Sequence, residues 1–175
     1  MMRLMLIAAA RLAVAASVAS AAVTPRHTVN LANGRFDGHT ILGLTPAQVE
    51  AVLGRPDATH GSKARYVFDW GKASDLRFRV IFTEQAASER AVLLGFESGI
   101  YRDPKLGDVL KRKPAAFLSA MEASYGDVYR LVSPLKHKPG GLYIGEFGQR
   151  AGTLHVSFGT HPKLGTFLTI WYSAG

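Results

Sequence analysis

Apolar residues recur along this chain in two rhythms. In TPAQVEAVLGRPD, residues 45–57, Val49, Val52 and Leu53 fall at i, i+3 and i+4, one face of a short helix. Thr45 is placed to cap its start, with Pro46 at the first helical position and Gln48 completing a capping box, while Gly54 and Pro56 close it. Downstream the period falls to two. KARYVFDW, LRFRVIFT and RAVLLGFE alternate or run apolar with aromatic and β-branched residues, separated by GKASD and EQAASE, and predict three strands. The order then returns. Asp103 and Pro104 can start a helix through Lys111, and Pro114 opens another, PAAFLSAMEASY, whose Phe117, Met121 and Tyr125 share a face before Gly126. GLYIGEF, TLHVSF and TFLTIWYS supply three more strands.

A hexamer pair ties the halves together. YVFDWG (Tyr66 to Gly71) and YIGEFG (Tyr143 to Gly148) share Tyr and Gly at their ends, an acid fourth (Asp69, Glu146) and an aromatic fifth (Trp70, Phe147). Leu76, Phe78 and Val80 answer to Leu154, Val156 and Phe158; Val92, Leu94 and Phe96 answer to Leu168, Ile170 and Tyr172. The pattern predicts an α+β chain of two tandem units, residues 39–99 and 100–175, each a helix–turn–helix followed by a three-stranded antiparallel sheet. Residues 22–38, polar with Pro and Gly, read as a flexible arm. Helices covering one sheet face leave the other to water or a partner.

The first 21 residues combine a basic start, an apolar run and small residues at Ala19-Ser20-Ala21, the pattern of a secretory signal peptide. Arg11 interrupts the run, so no spanning helix is expected and the chain reads as exported, periplasmic or secreted. Lys and Arg number 21 against 13 Asp and Glu, a net charge of +8. That excess favours acidic protein or anionic lipid surfaces; with no long basic run in an exported chain, nucleic acid is not expected. Lys111-Arg112-Lys113, Lys136 and Lys138 read as a solvated face. There is no cysteine, which removes disulfides, thiolate metal sites and a lipid anchor.

GLTPAQVEAVLGRPD followed by an aromatic strand ending in an acid and Trp resembles the SmpA/OmlA (BamE-like) outer-membrane assembly lipoprotein family. Gly43, Thr45, Val49, Leu53, Gly54, Pro56, Tyr66 and Trp70 carry the resemblance, over residues 41–97. The tandem arrangement is similar to that of the β-lactamase-inhibitor protein. The resemblance implies an envelope protein that works by binding a protein or outer-membrane-associated partner; a secreted inhibitor of a hydrolase is the alternative.

Catalytic patterns are missing. The six histidines show no HxH, HxxxH or HExxH spacing, and neither G-x-S-x-G nor a phosphate loop occurs, so no enzyme, cofactor or metal is expected. Asp69 and Glu146 could form a carboxylate pair only if their strand ends met. In LRFRVIF, facing Phe78, Val80 and Phe82 to the helices stands Arg77, Arg79 and Ile81 on the open face. Tyr66 and Trp70 either join those arginines as an aromatic binding surface or point inward, leaving Asp69 to pair with them. His155 takes the place of Arg77 in the second copy, and Trp171 and Tyr172 point to opposite faces. Arg77, Arg79, Tyr66, Trp70, His155 and Trp171 are therefore the candidate partner-binding residues.

Overall fold

A computed structural model describes residues 26–62, 65–71, 78–85, 88–163 and 165–173. Its strands and helices run β1 (Arg26–Asn30), β2 (Arg35–Phe36), α1 (Pro46–Leu53), β3 (Ala58–Ser62), β4 (Arg65–Trp70), β5 (Phe78–Gln85), β6 (Ser88–Phe96), β7 (Ile100–Asp103) and β8 (Gly107–Asp108). Then come α2 (Pro114–Tyr125), β9 (Tyr129–Lys138), β10 (Leu142–Gln149), β11 (Leu154–His161) and β12 (Gly165–Tyr172).

Both helices start at the prolines that predict them. At α1, Thr45 Oγ1 accepts from the Gln48 N–H and Gln48 Oε1 accepts from the Thr45 N–H, which satisfies two of the first-turn donors. In α2, Phe117, Leu118, Met121 and Tyr125 are buried, and Phe117 stacks on Phe158 at 3.9 Å. The helix expected from Asp103 to Lys111 does not form. The Asp103 carboxylate accepts the N–H groups of Lys105 and Leu106 at 2.8 Å, and that side-chain turn diverts the chain into β8.

Strands dominate. One eight-stranded sheet has the order β3-β4-β5-β6-β12-β11-β10-β9 with antiparallel neighbours, and a four-stranded sheet has the order β2-β1-β7-β8 with β1 and β7 parallel. Two units of helix–turn–helix plus three strands are thus not what the chain builds: each half carries one helix and a four-stranded meander. In the large sheet the strands missed by pattern are its two edges. β3, ATHGS, is short and mostly exposed, and β9, YRLVSPLKHK, contains Pro134 and faces solvent along most of its length, so neither shows apolar alternation.

The meanders are laid out alike. Trp70 pairs with Phe78 as Phe147 does with Val156, and Tyr66 with Phe82 as Tyr143 does with Thr160. Val80 pairs with Leu94 whereas Phe158 pairs with Leu168, so Leu94 answers to Leu168, two residues away from the sequence alignment to Ile170. The meanders meet at β6 and β12, where Leu93, Leu94, Gly95 and Phe96 pair with Trp171, Ile170, Thr169 and Leu168.

One core serves everything. Val80, Phe82, Leu94, Phe96, Val156, Phe158, Leu168 and Ile170 line the covered face of the large sheet, and α1, α2 and the small sheet supply Val49, Met121, Val29, Leu31, Phe36 and Tyr101. Of the segment 22–38 read as a flexible arm, the part from Arg26 onward pairs in a sheet and buries Val29, Leu31 and Phe36 to 1% exposure or less, and residues 22–25 lie outside the described residues. Residues 1–21, read from sequence as a signal peptide, lie outside the described residues.

Candidate functional site on the open sheet face

Strand alternation decides what the uncovered face presents. Phe78, Val80 and Phe82 are buried, so the intervening Arg79 and Ile81 point to the opposite side; likewise Leu93, Gly95 and Glu97 in and after β6, and Phe167, Thr169 and Trp171 in β12. Ile81, Leu93, Phe167, Thr169 and Trp171 remain half-buried. Around the seam of the two meanders Ile81, Leu93, Phe167 and Thr169 frame a hollow of about 260 Å³ with Leu142, and Arg79, Glu97 and His161 form its charged end.

That end carries a ladder of charge across four neighbouring strands. His60 Nε2 lies 3.3 Å from Asp69 Oδ2, Asp69 Oδ1 lies 3.3 Å from Arg79 Nε, and Arg79 Nη2 lies 3.4 Å from Glu97 Oε1. Arg79 reaches Glu97 by crossing β6 above Gly95, where an added Cβ would stand 3.1 Å from Arg79 Cγ. Glycine keeps that path open. Burial raises the Glu97 pKa, the Arg79 guanidinium opposes it, the charge of Asp69 adds to it, and His161 opposes it; the net direction is upward. The other carboxylate oxygen, Glu97 Oε2, is buried and has no hydrogen-bond partner among the described residues.

On the far meander a second, smaller cluster occupies the same face. His155 Nδ1 stands 2.8 Å from Glu146 Oε1, the His155 ring stacks on Trp171 at 4.3 Å, and the Trp171 indole N–H donates to Ser157 Oγ at 3.2 Å. Asp69 and Glu146, equivalent in the two hexamers, sit on β4 and β10, five strand spacings or about 24 Å apart, and cannot act on one bond. Each instead pairs with a neighbouring base, Arg79 or His155. Among the described residues no group of three or more His, Asp or Glu side chains could hold a metal ion.

The structure separates the six candidate binding residues. Arg79, His155 and Trp171 share the open face, Arg79 in the charge ladder and His155 with Trp171 in the second cluster. Trp70 does not: it is buried against Phe78 with centroids 4.9 Å apart. Tyr66 stacks on Phe82 at 5.0 Å on the same covered side. The aromatics of β4 therefore point inward, where three cross-strand pairs bury them, and leave Asp69 to face Arg79. Arg77 lies outside the described residues. Of the basic cluster, Arg112 is structural, donating from Nε and Nη2 to the Leu106 carbonyl.

No family model, curated protein or solved structure matches this chain. The SmpA/OmlA resemblance accordingly stands on its short motifs alone, and function is argued from geometry. Sequence reasoning missed Leu93, Glu97, Leu142, His161 and Phe167. Alternation around Leu94–Phe96 and Leu168–Ile170 was the available signal for Leu93, Glu97 and Phe167. Their convergence depends on β6 meeting β12, a pairing of distant segments that no local pattern encodes.

Proposed function

We propose that this chain is a non-enzymatic, exported binding protein of the cell envelope that holds a protein partner on the open face of its eight-stranded sheet. The observation that carries this reading is the hollow at the seam: Ile81, Leu93, Leu142 and Phe167 offer apolar contact, and Arg79, Glu97 and His161 close one end. Apolar burial at the centre with charge at the rim is the composition of a recognition surface.

The test is site-specific photocrosslinking in envelope preparations. A benzophenone amino acid replaces Phe167 on the open face or, as control, Val52 on exposed α1. The expected result is one protein adduct, identified by mass spectrometry, from position 167 and not from 52. That protein, purified, should bind the wild-type chain at least about tenfold more tightly than Ile81→Glu, which places a charge among apolar walls. Adducts independent of position, or binding indifferent to Ile81→Glu, would move the interaction off this face.

A further inference from the structure

We infer that the seam hollow receives a lysine side chain of the partner, its stem along Ile81, Leu93 and Phe167 and its ammonium on Glu97 Oε2. This rests on the binding reading above and names what the face recognises.

Glu97 has one carboxylate oxygen in use and one idle. Oε1 faces Arg79 Nη2 at 3.4 Å, while Oε2 is buried without a partner although the side chain keeps 11% of its surface exposed. A buried, unpaired carboxylate oxygen is costly, and a donor brought by a ligand removes that cost. A cationic donor suits it best, because the single Arg79 guanidinium is shared between Asp69 and Glu97. An ammonium completes the alternation of Asp69, Arg79, Glu97 and ligand.

Geometry separates lysine from arginine. A guanidinium fork seeks both oxygens of a carboxylate, and one is already faced by Arg79. An ammonium needs a single oxygen. A lysine also has the unbranched apolar stem that the hydrocarbon walls of a hollow of about 260 Å³ would cover.

Four capped amino acids probe the site: the Nα-acetyl methylamides of lysine, norleucine, arginine and glutamate, titrated against the full chain while the Ile81 and Leu93 methyl resonances are followed by NMR. The expected order is lysine first, at least about tenfold ahead of norleucine, which keeps the stem without the charge. Glu97→Gln, which preserves size, should bring that ratio to about one with the methyl spectrum unchanged elsewhere. Equal binding of lysine and norleucine, preference for arginine or glutamate, or no shift with any probe each overturns the inference. The broader reading fails separately: a photocrosslinked partner that tolerates Glu97→Gln but not Ile81→Glu would keep the binding face and discard the lysine.

Discussion

Replacing Asp103 by alanine should cost this fold more than any single change on the open face. Asp103 is 2% exposed and its carboxylate accepts from Leu31 N at 3.0 Å, from Lys105 N and Leu106 N at 2.8 Å, and from the Tyr125 hydroxyl at 2.8 Å. It joins β1, the turn before β8 and α2 in one network. Alanine strands three buried donors, Leu31 N, Leu106 N and Tyr125 Oη, at about 1–3 kcal/mol each, or about 3–9 kcal/mol in sum. The adjoining hollow of about 430 Å³, lined by Thr28, Arg102 and Asp103, lets water reach part of the network. That reduces the expected loss to about 3–5 kcal/mol, or about 6–20 °C in Tm at the ~2–4 °C per kcal/mol of a chain this size. Urea and thermal unfolding followed by circular dichroism would measure it. Tyr125→Phe removes one of the four donors and leaves the carboxylate with three, so about 1–2 kcal/mol is expected. An Asp103→Ala chain within about 1 kcal/mol of wild type, or one no worse than Tyr125→Phe, would refute the reasoning.

Two further outcomes follow from the same geometry. Glu97 has a folded pKa above its unfolded value, so its stabilising share is complete below the unfolded pKa and lost as pH rises through the folded one; Glu97→Gln should gain on wild type across that acidic-to-neutral window. The charged and titratable groups around it are Arg79, Asp69, His161 and His60, and a stability difference independent of pH would show that they compensate its burial. Gly159→Ala should destabilise by about 1–3 kcal/mol in urea unfolding, since a Cβ there would strike the Tyr143 carbonyl and lie 2.9 Å from Ile144 Cα; a neutral result would mean that β10 and β11 part easily.

Local signals were read correctly where they are self-sufficient. Thr45, Pro46 and Gln48 carry all the information a helix start needs, and alternation in LRFRVIF places Phe78 and Val80 against the core. Edge strands were lost because β3 and β9 have no buried face to impose a period. Asp103 was misread because Asp-Pro-Lys suits a helix start as well as a side-chain turn, and the competitor won when Tyr125 and Leu31 arrived from distant positions to share the carboxylate. At the site, Arg79, Ile81, His155 and Trp171 were legible from alternation. Whether Trp70 faced in or out was not, since its neighbours on both faces permit either. Glu97 gained meaning only when its register beyond β6 brought it alongside Arg79.

The placement of β1 has a consequence for the order in which the fold can be completed. This strand is synthesised early, yet it runs parallel to β7, and Leu31 N waits for an acceptor 72 residues later, its carbonyl for the Tyr129 hydroxyl 98 residues later. Until those segments emerge, Val29, Leu31 and Phe36 have no native lodging, so the beginning of the chain is among the last parts to lock. A truncation starting after Phe36 would forfeit the closing step rather than trim a dispensable tail.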